Sequence, residues 1–178
     1  MANYIWDGGG SDNNWNTVDN WDVGSGFPDD NNDRAIFNGT STKDCTVNVT
    51  TAVGRLSMDS GYSGTITLGA ALTIDDAGSH AGSFELSQGT FTTSGSNYAL
   101  TVDGATSITG TLTCNASTIS LGALRQQADY AVNIEIGGTF VGGTGTHTFG
   151  SLFMAQSANA KDTMTTGQVL VNGYNNNG

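Results

Sequence analysis

The sequence predicts an all-β protein, a short right-handed parallel β-solenoid closed at its N-terminal end by a tryptophan-rich cap. Three observations lead there. Runs of three to five residues rich in Thr, Val, Ile, Leu and Phe alternate with Gly, Ser and Asn along most of the 178 residues, with charged residues held to 12%. A Gly-Thr-apolar pattern recurs through the middle of the chain, as repeats of a stacked array do. All three tryptophans, Trp6, Trp15 and Trp21, fall within one stretch at the start, "WDGGGSDNNWNTVDNW". A β-sandwich or jelly roll, which also builds many short strands joined by turns, is the alternative.

The length suits one domain with a core of its own, and the chain divides into three zones. Residues 1–40 form the Trp/Asn/Asp-rich cap segment. An uncovered solenoid end would expose its core and its unpaired backbone groups, so terminal units must close it. Rings placed just before the first coil serve that purpose, and Trp6, Trp15, Trp21, Pro28 and Phe37 are the expected cap residues.

Residues 41–155 form the solenoid body. "GTIT", "GTFT", "GTLT" and "GTFV" begin at Gly64, Gly89, Gly110 and Gly138, separated by 25, 21 and 28 residues. Their apolar residues Ile66, Leu68, Phe91, Leu112 and Phe140 are expected inside. So are Leu72 and Ile74, Phe84 and Leu86, Leu100 and Val102, Ile108, Ile119 and Leu121, and Ile134 and Ile136 in the partner runs. Coils stacked about 4.8 Å apart, four or five of them, make a rod of roughly 20–25 Å. Thr, Ser and Asn then face water. The best helical candidate, "GALRQQADYAV" at 122–132, is short and opens on Gly. Residues 156–178 close the chain with one strand-like run, "GQVLVNG", and a polar tail.

A formal net charge of −11, with only five basic residues, argues against nucleic-acid and anionic-membrane partners. No stretch reaches transmembrane length. The opening "MANYIWDGGG" has neither a basic nor an apolar leader region, so no secretory signal is expected from it. Cys45 and Cys114 sit in strand-like contexts, and two buried, unlinked thiols are expected.

Little in the sequence points to catalysis. His80 and His147 lie in Gly/Ser/Thr-rich runs and are expected as solvent-facing turn residues. None of the spacings of nucleophile elbows, zinc proteases or phosphate loops occurs. A carboxylate pair for polysaccharide cleavage would have to come from Asp75, Asp76, Glu85, Asp103 and Glu135, with Arg125 as the nearby cation. One metal pattern is present: Asp29, Asn31 and Asp33 alternate like the first ligands of a Ca²⁺ loop. Arg34 stands where that loop needs Gly and Thr40 where it needs its closing Glu, so turn chemistry around Pro28 is the stronger reading. No catalytic residue and no cofactor are expected, Ca²⁺ being the one candidate ion.

The segment "IWDGGGSDNNWNTVDNWDVGSGFPDDNNDRAIFNG" resembles the W-x-GG-x-W-x-NW-x-P-x-D-x-F opening of bacterial and phage surface proteins with β-solenoid bodies. Trp6, Gly8, Gly9, Trp15, Asn20, Trp21, Pro28, Asp33 and Phe37 match that pattern, and the resemblance extends over residues 4–155. It implies a β-solenoid body and a place among autotransporter-like passengers, secreted repeat proteins and virion proteins. The resulting expectation is a non-enzymatic, structural protein at the virion surface of a tailed phage, decorating the capsid or forming part of a fibre. It would self-associate, as a trimer, and dock on a capsid or tail protein. A cell-surface or secreted adhesin that binds glycans is the first alternative, and a polysaccharide-acting enzyme or carbohydrate-binding module the second.

Overall fold

The computed structural model describes residues 2–75, 83–93, 96–122, 134–136, 138–150, 153–154, 161–163 and 169–171. The chain enters through β1 (Ala2–Ile5), makes a single 3-10 turn at Val18–Asn20, and reaches β2 (Asp33–Phe37). Three-strand turns follow. The first holds β2, β3 (Cys45–Val47) and β4 (Thr51–Val53). The second holds β5 (Arg55–Met58), β6 (Thr65–Leu68) and β7 (Leu72–Ile74). The third holds β8 (Ser83–Leu86), β9 (Thr90–Thr92) and β10 (Leu100–Val102). The fourth holds β11 (Thr106–Ile108), β12 (Thr111–Thr113) and β13 (Ile119–Leu121). Beyond it lie β14 (Ile134–Ile136), β15 (Thr139–Val141), β16 (His147–Phe149), β17 (Phe153–Met154), β18 (Lys161–Thr163) and β19 (Val169–Val171).

Every third strand joins the same sheet. The first sheet runs β1-β2-β5-β8-β11-β14-β17, the second β3-β6-β9-β12-β15-β18 and the third β4-β7-β10-β13-β16-β19. Every described ladder between named strands is parallel. The fold is therefore a β-solenoid, and the sandwich and jelly-roll alternatives fall, because both are built from antiparallel pairs. Six rungs at about 4.8 Å make a stack of about 24 Å. The helical candidate at 122–132 lies, beyond Gly122, outside the described residues.

The core is a set of columns, because in-register pairing puts like positions over one another. In the second sheet Cys45, Ile66, Phe91, Leu112 and Phe140 stack inward. In the third, Val53, Ile74, Val102, Leu121 and Phe149 do the same. Phe37, Met58, Leu86 and Ile108 line the first. All are buried, and the alternating positions are more exposed, apart from Ser57 on β5, which is also buried. Edge-to-face contacts tie columns together across the interior, as between Phe84 and Phe91 at 5.2 Å.

The repeated glycines explain how coils of unequal length keep one register. Thr90 N–H donates to the Gly64 carbonyl, Thr111 N–H to Gly89 and Thr139 N–H to Gly110. These corners stack backbone on backbone. A Cβ on Gly110 would lie 2.9 Å from the Gly89 oxygen, and Gly89 itself has φ of +77°. A side chain at either position would push the turns apart.

Candidate functional site

The most elaborately built region is the N-terminal end, where the cap meets all three sheets. β1 continues the first sheet on β2. Trp15 N–H donates to Thr46 O at 2.8 Å and Thr46 N–H to Asn13 O at 2.7 Å, adding a short rung over β3 on the second sheet. The Pro28 carbonyl accepts the Thr51 hydroxyl at 3.4 Å, reaching β4 on the third. The cap thus touches every sheet at this end, by strand pairing on the first, a short rung on the second and a side-chain bond on the third.

The rings fill the space inside that frame. Trp6 and Trp15 are fully buried, and Trp21 is 2% exposed. Phe37 sits beneath them, 5.5 Å from Trp6, 6.0 Å from Trp15 and 5.6 Å from Trp21, and passes the contact on to Tyr62 at 5.1 Å. Burying an indole N–H without a partner is costly, and each one here donates to a backbone carbonyl: Trp6 to Lys43 at 2.9 Å, Trp15 to Pro28 at 2.8 Å, Trp21 to Trp15 at 2.7 Å. The rings are held in fixed orientations, and none of them is open to stack on a sugar.

Polar side chains complete the cap. Asn20, fully buried, accepts from Gly10 N–H and donates to the Asp12 carboxylate and to the carbonyls of Asp12 and Asn14. Asp12 also receives Asn14 N–H and the Thr17 hydroxyl, which together hold its carboxyl below the usual range. Lys43 latches the cap to the coils. Its ammonium donates to the Gly8 and Gly10 carbonyls at 3.0 and 2.8 Å, while its own carbonyl accepts from Trp6 and from the Tyr62 hydroxyl. Tyr62 is accordingly buried, with its ionisation pushed far up by desolvation. Neither Lys43 nor Tyr62 carries a local sequence signal, because their partners lie 19 to 37 residues away.

The Ca²⁺ candidates are engaged in a turn. Asp33, nearly buried, accepts the N–H groups of Asp29 and Asp30 at 3.3 Å each, and Asn31 lies in the loop between them. Neighbouring Asp30 accepts the N–H and side-chain amide of Asn32. Among the described residues no three His, Cys, Asp or Glu side chains gather as a metal site. Asp29 instead borders a shallow groove of about 430 Å³, lined with Phe27, Val49, Thr50, Thr51, Ala52 and Thr73.

Of the carboxylates considered for catalysis, Asp75 and Asp103 stand one rung apart, because they directly follow Ile74 and Val102, which pair with each other. Glu85, outward on β8, forms an ion pair with Arg55 at 3.0 Å. Asp75 and Asp103 follow β7 and β10 on the third sheet, away from Glu85. Asp76, Arg125 and the side chain of Glu135 lie outside the described residues, as does His80. His147 departs from its expectation. It is no solvent-facing turn residue but the first residue of β16, fully buried in the column between Ile119 and Val169. Strand alternation turns it inward, its Nε2 lies 2.7 Å from the Gly142 carbonyl, and its ring meets Phe140 and Phe149. Cys45 and Cys114 are both buried and unlinked.

Comparison of the chain with protein-family models, with curated proteins and with solved structures returns no match.

Proposed function

We propose that this protein is a structural component of a particle surface, a capsid-decorating or fibre element of a tailed phage that acts by self-association and docking. The observation that supports it best is the cap. A stack of β-coils is open to addition of another strand wherever an edge is bare, and here the cap pairs with the first two sheets at the N-terminal end and locks the rings beneath it. The result is a rod of defined start, stiffened by in-register ladders, whose shape rather than a reactive group is its useful property.

Self-association as a trimer around a rotation axis would use the flat sides of the rod, since ring closure leaves no unmatched surface. At a net charge of −11 the copies repel over a Debye length, so they should associate better as salt rises. Attachment through several copies then multiplies weak contacts. The adhesin alternative loses its main support, because the three indoles that would have met glycans are buried.

The test is direct. Particles purified by density gradient from a producing culture should carry the chain in stoichiometric amount, and sedimentation of the isolated protein should show a salt-promoted oligomer. A strictly monomeric protein, missing from particles and active on a polysaccharide, would overturn the proposal.

A further inference from the structure

The Gly-Thr-apolar-Thr repeats build a surface on the second sheet, apart from the cap on which the particle role rests. On β6, β9, β12 and β15 the middle residues Ile66, Phe91, Leu112 and Phe140 are buried, and their neighbours on either side are half-buried and outward-facing. The pairing puts Thr65, Thr90, Thr111 and Thr139 in one column and Thr67, Thr92, Thr113 and Val141 in a second. Neighbouring rungs are about 4.8 Å apart and the two columns about 6.8 Å apart, as strand geometry dictates. No bulge or slip interrupts these four rungs. Seven of the eight positions are threonine, a side chain stiff about χ1 that offers one methyl and one hydroxyl.

We propose that this face of the second sheet binds ice: a two-column threonine lattice whose ligand is the ordered surface of crystalline water.

The choice of occupant follows from charge, area and period. The protein carries 16 acidic and five basic residues, yet none stands on the eight lattice positions. By register, Asp44 bounds the first column at one end and Lys161 at the other. The first sheet differs, with Arg55 and Glu85 on its outer side. The outer column of the third sheet is a single file of Ala52, Thr73, Thr101, Ser120 and Thr148. The eight lattice positions themselves offer a charged ligand no countercharge.

A globular protein partner would need roughly 800 Å² on each side, whereas the lattice is about 7 Å by 14 Å between its outermost rows. A ligand with its own two-dimensional repeat has no such requirement, because each rung offers it the same contact again. Ice is such a ligand. Its prism face repeats oxygens in a rectangular mesh close to the spacing of this array. Water beside methyl groups already has restricted orientations, and hydroxyls between the methyls can anchor it by ordinary hydrogen bonds. Each contact is modest, but a crystal face engages all rungs together, as a multivalent ligand does. The Asn115 amide donates to the Thr92 hydroxyl at 3.2 Å and so steadies one inner position of the second column.

The experiment uses the full chain. A single ice crystal held in its solution should show faceting and a freezing point below the melting point, and the protein should partition into slowly grown ice. Replacing Thr90 and Thr111 together by Tyr should abolish both effects, while Thr101→Tyr on the third sheet should leave them intact. Far-UV circular dichroism and thermal melting establish that the variants fold. Should the tyrosine pair misfold, Thr90→Ser with Thr111→Ser removes two methyls without added bulk and should weaken both effects. Exclusion of the wild-type protein from ice would overturn the proposal. So would a threonine-face variant that retains activity, binding to crystalline cellulose or chitin in place of ice, or dimers that form through this face.

Discussion

Replacing Trp21 by Ala tests the cap at its most connected point. The ring is 2% exposed and lies 4.9 Å from Trp15, 5.2 Å from Trp6, 5.6 Å from Phe37 and 6.3 Å from Tyr4. Truncating a buried Trp costs about 3–5 kcal/mol through lost transfer energy and the cavity left behind. The variant also strands the Trp15 carbonyl, whose buried partner was the Trp21 indole N–H at 2.7 Å, at about 1–3 kcal/mol for an unsatisfied group. The two losses overlap in part, so the expected value is the upper end of the first range, about 4–5 kcal/mol. Domains of this kind are stable by about 5–15 kcal/mol. Because each coil contacts only its neighbours, the damage should be expressed first at the cap and β1, and unfolding in urea should separate into two phases. Tryptophan fluorescence would report the early phase and far-UV circular dichroism the later one. Trp21→Phe keeps most of the ring and loses the N–H, so it should fall nearer 1–3 kcal/mol. A Trp21→Ala variant within about 1 kcal/mol of wild type, well below the range for buried aromatic truncation, or native fluorescence fully quenched by iodide, would refute the reasoning.

Two further predictions rest on buried titratable groups. Cys45 and Cys114 sit on or beside strands three rungs apart, about 14 Å, beyond the Cα separation of about 7 Å that a disulfide tolerates. Alkylation should therefore label two thiols after denaturation and proceed slowly in the native protein, where burial pushes Cys114 up to about 12 and Cys45 well above its usual range; a recovered peptide pair joined through them would contradict this. His147 is held below its ordinary 6.5 by desolvation, opposed by its hydrogen bond to Gly142, so the unfolded chain takes up its proton first. Its contribution to stability is then full above pH 6.5, falls as pH drops below that value and levels off below the folded pKa. Urea midpoints measured from pH 7.5 to 5 should decline for wild type and stay flatter for His147→Phe, and identical slopes would show that the buried ring does not control this window.

The solenoid was legible because its signal is local and repeated. Ile66, Phe91, Leu112 and Phe140 announce themselves by position within one short motif, and their burial follows from alternation alone. The tryptophans were legible from their placement before the first coil. What escaped is long-range or contextual. His147 lies between two threonines in a glycine-rich run that reads as a turn, and only its pairing with Ile119 reveals a strand and an inward side. Lys43 reads as an isolated surface charge, because the carbonyls it holds belong to Gly8 and Gly10, which the fold brings back 33 to 35 residues later. Asn20 looks like loop polarity until the fold buries it and makes hydrogen bonding obligatory.

The repeats keep one surface pattern although their spacing is unequal. Intervals of 25, 21 and 28 residues would blur any surface pattern if the chain were simply wound at constant pitch. They do not blur it, because the differences are taken up between strands while each Gly-Thr-apolar core is pinned to the one before it. The pin is the bond from a threonine N–H to the glycine carbonyl of the preceding turn, at 3.1 Å from Thr90 to Gly64 and 3.0 Å from Thr111 to Gly89. That bond forms only where the backbones approach closely, and a Cβ at Gly89 or Gly110 would sit within 2.9 Å of the carbonyl oxygen it must pass. The glycine thus fixes the register, the next residue inherits a fixed outward position, and the apolar residue after it a fixed inward one. One short motif therefore determines the core and the threonine face together. A change that loosens the glycine corner should disorder both, whereas a change confined to an outward threonine should alter the face and leave the core in place.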